Sequence, residues 1–417
     1  MTEKSEKIED VEQIEIDPKE MIESVSLKID DEIAKEIKKP VKKKNDVKSE
    51  VKEKEVDLTK ELFNEFSSFM EKVADATVEK ATKKTIPTGI DLVDAILGGG
   101  FAVGGLNIIV GQPGSGKSML AIQTLGQGQK MCKGKMLGGY LDSEEATTAV
   151  RLANLGVRYP RMKPYVDVTI EKVFKFLEGL SVFKDKKGII DDPSVVVWDS
   201  IANTLSQKER EVDNPNEVIG YKARLLSILI PKYVSICSKH NICFLAVNQL
   251  RDVINMGMFA PPKDLKFMSQ TKDMPGGTVL KYNAFQLVEM KVKSAIAGDI
   301  AEKYGFEGII CKLKCVKNKL FSPNVEIEVV GSFTTGFSNF WTNYNFLKES
   351  KRLNAGAWNY LVSYPDKKFR TKDAPDLYNN DEEFRVAFDA AVKEAIQTDI
   401  IDKYNPEIDH ESQEESD

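Results

Sequence analysis

Histidine is almost missing. His240 and His410 are the only two in 417 residues, which argues against imidazole-based acid–base chemistry. Cysteine is scarce and odd in number: Cys132, Cys237, Cys243, Cys311 and Cys315 lie in apolar contexts. No CxxC pair or nearby histidine completes a metal site around Cys311 and Cys315, so all five read as buried free thiols of a reducing compartment. No run approaches the roughly 18 apolar residues of a membrane-crossing helix. The opening "MTEKSEKIED" has no apolar stretch of a secretion signal, so a cytoplasmic protein without a membrane partner is expected. An excess of basic charge is lacking too. The formal net charge is −6, and any nucleic-acid site has to be locally basic.

What is present divides the chain into segments. Hydrophobic residues make up 41% and charged residues 30%, the balance of a globular protein with charged appendages. Residues 1–56 are rich in Glu, Lys and Asp, and they read as a disordered charged arm. Residues 57–84 offer Asp57 as an N-cap, with Leu62, Phe63, Phe66, Met70 and Val73 at helical spacing. That helix packs either on its own domain or on a neighbouring subunit. From 85 to 333, "LNIIV" (106–110), "LGGYLD" (137–142), "VVVWD" (195–199) and "ICFLAVN" (242–248) read as strands buried on both faces. Helix-length amphipathic segments separate them, the pattern of an α/β fold with a mostly parallel twisted sheet flanked by helices. Residues 334–400 read as a small α+β C-terminal domain with a helix over 381–397, and 401–417 as an acidic tail.

"GQPGSGKS" (111–118) follows the strand "LNIIV" and opens a helix, which is the setting a phosphate loop requires. Gly111, Gln112, Pro113, Gly114, Ser115 and Gly116 would form a loop around the ATP phosphates at a helix N-terminus, binding them with the backbone N–H groups of every member except Pro113, which has none. Lys117 would reach the β- and γ-phosphates, and the Ser118 hydroxyl would ligate Mg²⁺. Asp199 ends an apolar strand and is assigned to the water shell of the bound Mg²⁺. Glu144, in "YLDSEEA", has the chemistry to activate water; Glu145 beside it competes for that role, and helix capping is the plainer reading of Glu144. Gln249, in "LAVNQLRD", is placed to sense the γ-phosphate. The segment 251–277 lacks periodicity and mixes Met256, Met258 and Phe259 with Arg251, Lys263, Lys266 and Lys272. Apolar side chains among cations suit single-stranded DNA. In "CVKNKLFSP" (315–323), Lys317 and Lys319 fall on one face of a strand near its end; taken alone they read as a solvated surface pair.

In order along the chain, "IPTGIDLVDAILGGG", the phosphate loop, "DSE" (142–144), "VVVWDS", "NQLRD", "PGGTVLKYNAF" (275–285), "KCVKNKLFSP" and "AGAWNYL" (355–361) resemble the RecA family of recombination ATPases. The resemblance spans about residues 85–361. Within the family, the "DSE" strand end and the C-terminal helical region with its acidic tail are most similar to phage recombinases of the UvsX type.

The resemblance implies a RecA-like core. Such a protein forms a helical filament on single-stranded DNA and pairs it with homologous double-stranded DNA, using ATP and Mg²⁺. It implies that Lys317 and Lys319 approach the phosphates of a neighbouring subunit. It carries Gly220, Arg224 and Ser227 onto DNA-contacting positions after a first loop at 206–218. It makes 251–277 the second DNA loop, with Arg251, Met258, Phe259, Gly276 and Gly277 as contacts. Single-strand-binding and loader proteins are further partners it suggests, and host cytoplasm the place if the chain is phage-encoded. Two departures stand out. A family arginine falls on Pro231, which predicts a bend or break in the helix there, and the adenine-stacking tyrosine falls on Arg151, whose guanidinium can also stack. A tail that competes with DNA for basic surface is expected as an electrostatic gate. Two other readings remain: a hexameric RecA-fold motor, and a non-catalytic paralogue acting as a mediator.

Overall fold

In a computed structural model, residues 83–158, 164–252 and 272–404 are described. The arm (1–56), the helix expected over 57–84 for all but its last two residues, most of the segment expected to be a second DNA loop with Met258 and Phe259, and the tail from 405 lie outside them.

The described chain begins with β1 (Thr85–Ile86), α1 (Asp91–Leu97), β2 (Phe101–Ala102) and β3 (Gly105–Gly111). Then come α2 (Lys117–Met131), β4 (Gly138–Asp142), α3 (Ala149–Asn154), β5 (Pro164–Tyr165), α4 (Ile170–Lys187) and β6 (Ser194–Asp199). They are followed by α5 (Gln207–Glu211), α6 (Tyr221–Lys239), β7 (Ile242–Gln249), β8 (Arg251–Asp252), β9 (Lys272–Asp273) and α7 (Thr278–Asn283). After these lie β10 (Ala284–Ile296), α8 (Asp299–Tyr304), β11 (Gly308–Lys317), β12 (Glu326–Ser332), β13 (Gly336–Phe337) and α9 (Asn339–Glu349).

One nine-stranded sheet organises them, in the order β13-β12-β11-β10-β3-β7-β6-β4-β5. The six strands from β10 to β5 run parallel, and β11, β12 and β13 extend the sheet antiparallel. The four apolar runs read from the sequence are β3, β4, β6 and β7. They are continuous because helices cover both faces. Along β3, Leu106, Ile108 and Val110 face the side of α4 and α6, whereas Ile109 faces the side of α1 and α2. A third cluster, with Trp341, Tyr344, Phe384 and Phe388, packs against Ile296 and Val330 at the antiparallel end. It is closed by the small sheet β14 (Leu353–Asn354), β15 (Asn359–Leu361), β16 (Tyr364–Phe369), by α10 (Ala374–Asn380) and by α11 (Glu382–Ile396). No described helix is long and apolar enough to cross a membrane.

Three expectations are corrected. Of the bend or break expected at Pro231, the break does not occur: the helix α6 runs through it. Pro231 lies on the exposed face, so the Ser227 carbonyl that loses its N–H partner faces water. Residues 206–218 are not a plain loop: Ser206 and Glu209 form a reciprocal capping box that starts α5, and a 3₁₀ turn follows at Pro215–Val218. Cys132, at the end of α2, is only half-buried, while the other four thiols are buried as expected.

Candidate functional site

Parallel strands align their C-terminal ends, and the sheet register brings the candidate groups to one edge. Gly111 of β3 lies opposite Gln249 of β7 and Met290 of β10, and Asp199 of β6 lies between Val247 and Asp142. The phosphate loop leaves β3 here. Gly116 takes φ 83° and caps α2, and Ser115 Oγ and Lys117 Nζ both donate to the Gln112 carbonyl, at 2.8 and 2.7 Å. Gly111 is required for a different reason. A Cβ there would sit 2.3 Å from the Met290 carbonyl oxygen of the paired strand. Gly111→Ala should therefore cost about 3 kcal/mol of stability, read as a lower urea midpoint, because backbone rather than a side chain must yield.

Lys117 is nearly buried, and burial lowers its pKa while Asp199 and then Glu144 oppose that shift. Burial raises the pKa of Asp199; hydrogen bonds from Ser118 and Tyr140 oppose the rise, and the charges of Glu144 and Asp142 add to it. Buried carboxylate, hydroxyl and amine thus converge where the loop opens. Ser200 Oγ donates to Glu144 Oε1 at 3.2 Å, and Asn203 Nδ2 donates to the same oxygen. Glu145 instead accepts the Asp167 amide at 3.1 Å. The structure therefore brings Glu144, not Glu145, beside Asp199 and Lys117. The Asp199–Ser200 peptide is cis. Burial pushes the Cys311 thiol up to about 12, and its Sγ donates to the Ser115 carbonyl, so a neutral thiol supports the loop.

Ser118 and Asp199 offer hard oxygens in a buried, negatively charged setting that raises the carboxyl pKa, the environment a divalent cation relieves. The residues present fit Mg²⁺. Arg151 lies exposed on α3 and donates to the Phe333 carbonyl at 3.3 Å, in the turn between β12 and β13.

The structure does not bring Lys317 and Lys319 to this edge. Lys317 pairs with Leu287 of β10, and its ammonium donates to the Lys281 and Tyr282 carbonyls just before β10 begins. That is the edge at which β3 starts, away from the loop that ends it. The strand also stops at Lys317, so alternation does not explain the pair. Asn318 Oδ1 accepts the Leu320 amide and its Nδ2 donates to the Ile96 carbonyl, which turns the chain out of the ladder. Lys319 lies 5.5 Å from the centre of the Phe285 ring. Burial, then repulsion from Lys319, lowers the Lys317 pKa, and neither lysine has a carboxylate ion-pair partner among the described residues.

The DNA-contact candidates gather on another face. Gly220 caps α6, with Arg224 and Ser227 exposed along it. Gly276 and Gly277 lie against the same helix: a Cβ on the first would be 3.2 Å from Leu226, and one on the second 3.7 Å from Ala223. Arg251 begins the short ladder β8–β9 that closes the base of the second loop.

The sequence reading missed the groups that orient the carboxylates: Tyr140, Thr147, Ser200 and Asn203. Only the small polar residues after the β4 and β6 strand ends hinted at them.

Residues 26–338 match the RecA N-terminal domain family. The chain is 30% identical over 256 residues to Protein RecA of Aquifex aeolicus, covering 60% of this chain and 66% of that one. It is 31% identical over 246 residues to Protein RecA of Heliobacterium modesticaldum, covering 58% and 64%. It is 31% identical over 278 residues to Protein RecA of Thermus aquaticus, covering 66% and 74%. The match spans about two thirds of the length of the first of these relatives. The matched family domain takes in both sheet edges, from the phosphate loop to the displaced lysine pair, and the chain belongs to the RecA family.

Proposed function

We propose that this protein is an ATP-dependent recombinase of DNA recombination and repair. It polymerises on single-stranded DNA and pairs that strand with a homologous duplex. The observation that carries this reading is the separation of two half-sites. The phosphate loop with Lys117, Asp199 and Glu144 occupies one sheet edge, and a lysine pair without a carboxylate partner among the described residues occupies the other. Two ammonium groups held close without a carboxylate call for an anion. In a head-to-tail polymer the triphosphate of the next subunit supplies it.

In that assembly Ser118 and Asp199 would hold Mg²⁺, which would supply screening of the β- and γ-phosphate charge. Lys117 and the loop amides bind the phosphates, Arg151 stacks on the base, and Glu144 orients the attacking water. Gln249, opposite Gly111, senses the γ-phosphate. Through the β8–β9 ladder it passes that state to the second DNA loop, where Arg251, Met258 and Phe259 lie, and to Gly276 and Gly277. Phosphates of the DNA then meet Gly220, Arg224 and Ser227, and hydrolysis releases the strand. Phage recombinases of the UvsX type remain the branch we favour, acting in the host cytoplasm beside single-strand-binding and loader proteins.

ATP turnover measured over a range of protein concentrations, with and without single-stranded DNA, tests the proposal. A steep rise with concentration and strong DNA stimulation are expected, together with open filaments by electron microscopy. Closed rings favour the hexameric motor, and turnover indifferent to DNA favours the mediator.

A further inference from the structure

Tyr140 is a buried aromatic in the middle of β4, yet its hydroxyl reaches across the sheet to the site. It donates to Asp199 Oδ2 at 2.7 Å, and Thr147 Oγ1 donates to it at 3.2 Å. A phenol carries one proton. Receiving a hydrogen bond from Thr147 leaves that proton for the carboxylate, so the chain has a direction: Thr147 to Tyr140 to Asp199. Thr147 is itself fixed, because its backbone amide donates to Asp142 Oδ2 at 2.9 Å. Asp142 Oδ1 also takes the amides of Glu144 and Glu145, at 3.1 and 3.0 Å. The turn that carries Glu144 is therefore tied, through two side chains, to the carboxylate that ends β6.

We infer that Tyr140 is a positioning residue that sets the rotation of the Asp199 carboxylate toward the metal and holds it in register with Glu144. The inference rests on the proposed reading of Asp199 as a metal-site carboxylate. The torsion that turns an aspartate carboxylate is broad and two-fold, so packing alone leaves it free to rotate. Asp142 and Glu144 both repel it. A donor from the core side occupies one oxygen and opposes that rotation, and Ser118 hydrogen-bonds the same carboxylate from the loop side. A buried phenol needs a partner in any protein. What singles this one out is that its partner is the carboxylate beside Ser118, and that the hydroxyl is backed by a second donor.

The test uses the full chain and titrates Mg²⁺ against equilibrium binding of radiolabelled ATP. Tyr140→Phe keeps the ring and removes the hydroxyl. Its half-saturating Mg²⁺ should rise about ten-fold, as for other loss of support behind a metal ligand, with ATP binding restored at high Mg²⁺. Thr147→Val, which acts from the half-buried end of the chain, should shift the midpoint in the same direction by less. It gives the same reading should Tyr140→Phe fold poorly. A purely structural role lowers the amount of competent protein without moving the midpoint. Asp199→Asn separates the two levels of the argument. If it shifts the Mg²⁺ curve while Tyr140→Phe and Thr147→Val superimpose on the wild type, the positioning role is overturned and the metal reading stands. If Asp199→Asn also superimposes, both fall.

Discussion

Replacing both Lys317 and Lys319 by alanine should lower DNA-stimulated ATP turnover at least about a hundred-fold, the scale on which charge-stabilising groups act in phosphoryl transfer. Binding of ATP to the isolated subunit should hardly change, since neither ammonium lies at that subunit's own phosphate loop. Mixing makes the expectation sharper. A Lys117→Ala chain has no functional loop but an intact lysine pair, and the double variant has the reverse. Each is inactive alone. In a randomly mixed, equimolar head-to-tail polymer, about a quarter of the junctions join an intact loop to an intact pair, and turnover should recover to about that fraction. A site complete within one chain recovers nothing on mixing, and that result would sink the shared-site reading. Lys317 also fastens the end of β11 to the carbonyls before β10, so unfolding midpoints should be measured alongside. An equal midpoint with lost turnover separates charge from fold.

The core was legible because its strands are buried on both faces. A run such as "VVVW" has no polar position inside it, and the phosphate loop followed β3 with the spacing its backbone demands. Other features failed where a local side-chain bond overrode the pattern. Alternation predicted two lysines on one strand face, but the Asn318 side chain accepts the Leu320 amide and ends the strand between them. Residues 206–218 were read as an open loop, although "SQKE" spelled a capping box. The proline in α6 predicts a bend or a break; the helix is unbroken, and only the burial pattern reveals that the lost bond falls on the wet side. Tyr140 was least visible. In the sequence it is one apolar residue in a buried strand, and its partner, Asp199, lies in β6 beside it. Only the register, which sets Asp142 opposite Asp199, makes them neighbours.

Glu144→Gln is expected to lower the rate of ATP cleavage by about a hundred- to ten-thousand-fold, the usual contribution of a positioned general base. The fold should persist. An amide oxygen can still accept from Ser200 and Asn203, which now hold the carboxylate. Because the phosphate loop, Ser118 and Asp199 are untouched, ATP should bind with wild-type affinity. In the proposed cycle a subunit that binds ATP but does not cleave it stays in the state that grips DNA, so single-stranded DNA should dissociate many times more slowly, as followed by fluorescence of a labelled strand. Glu145→Gln is the matched comparison. Its carboxylate accepts the Asp167 amide, and its charge is not among those that act on Lys117 and Asp199, so its turnover should stay within about two-fold of wild type. The opposite ranking of the two variants would move the base to Glu145, and near-normal turnover in both would remove this turn from the chemistry. The outcome is decided by orientation: of two adjacent glutamates, only the one held by Ser200 and Asn203 acts electrostatically on the phosphate loop's lysine.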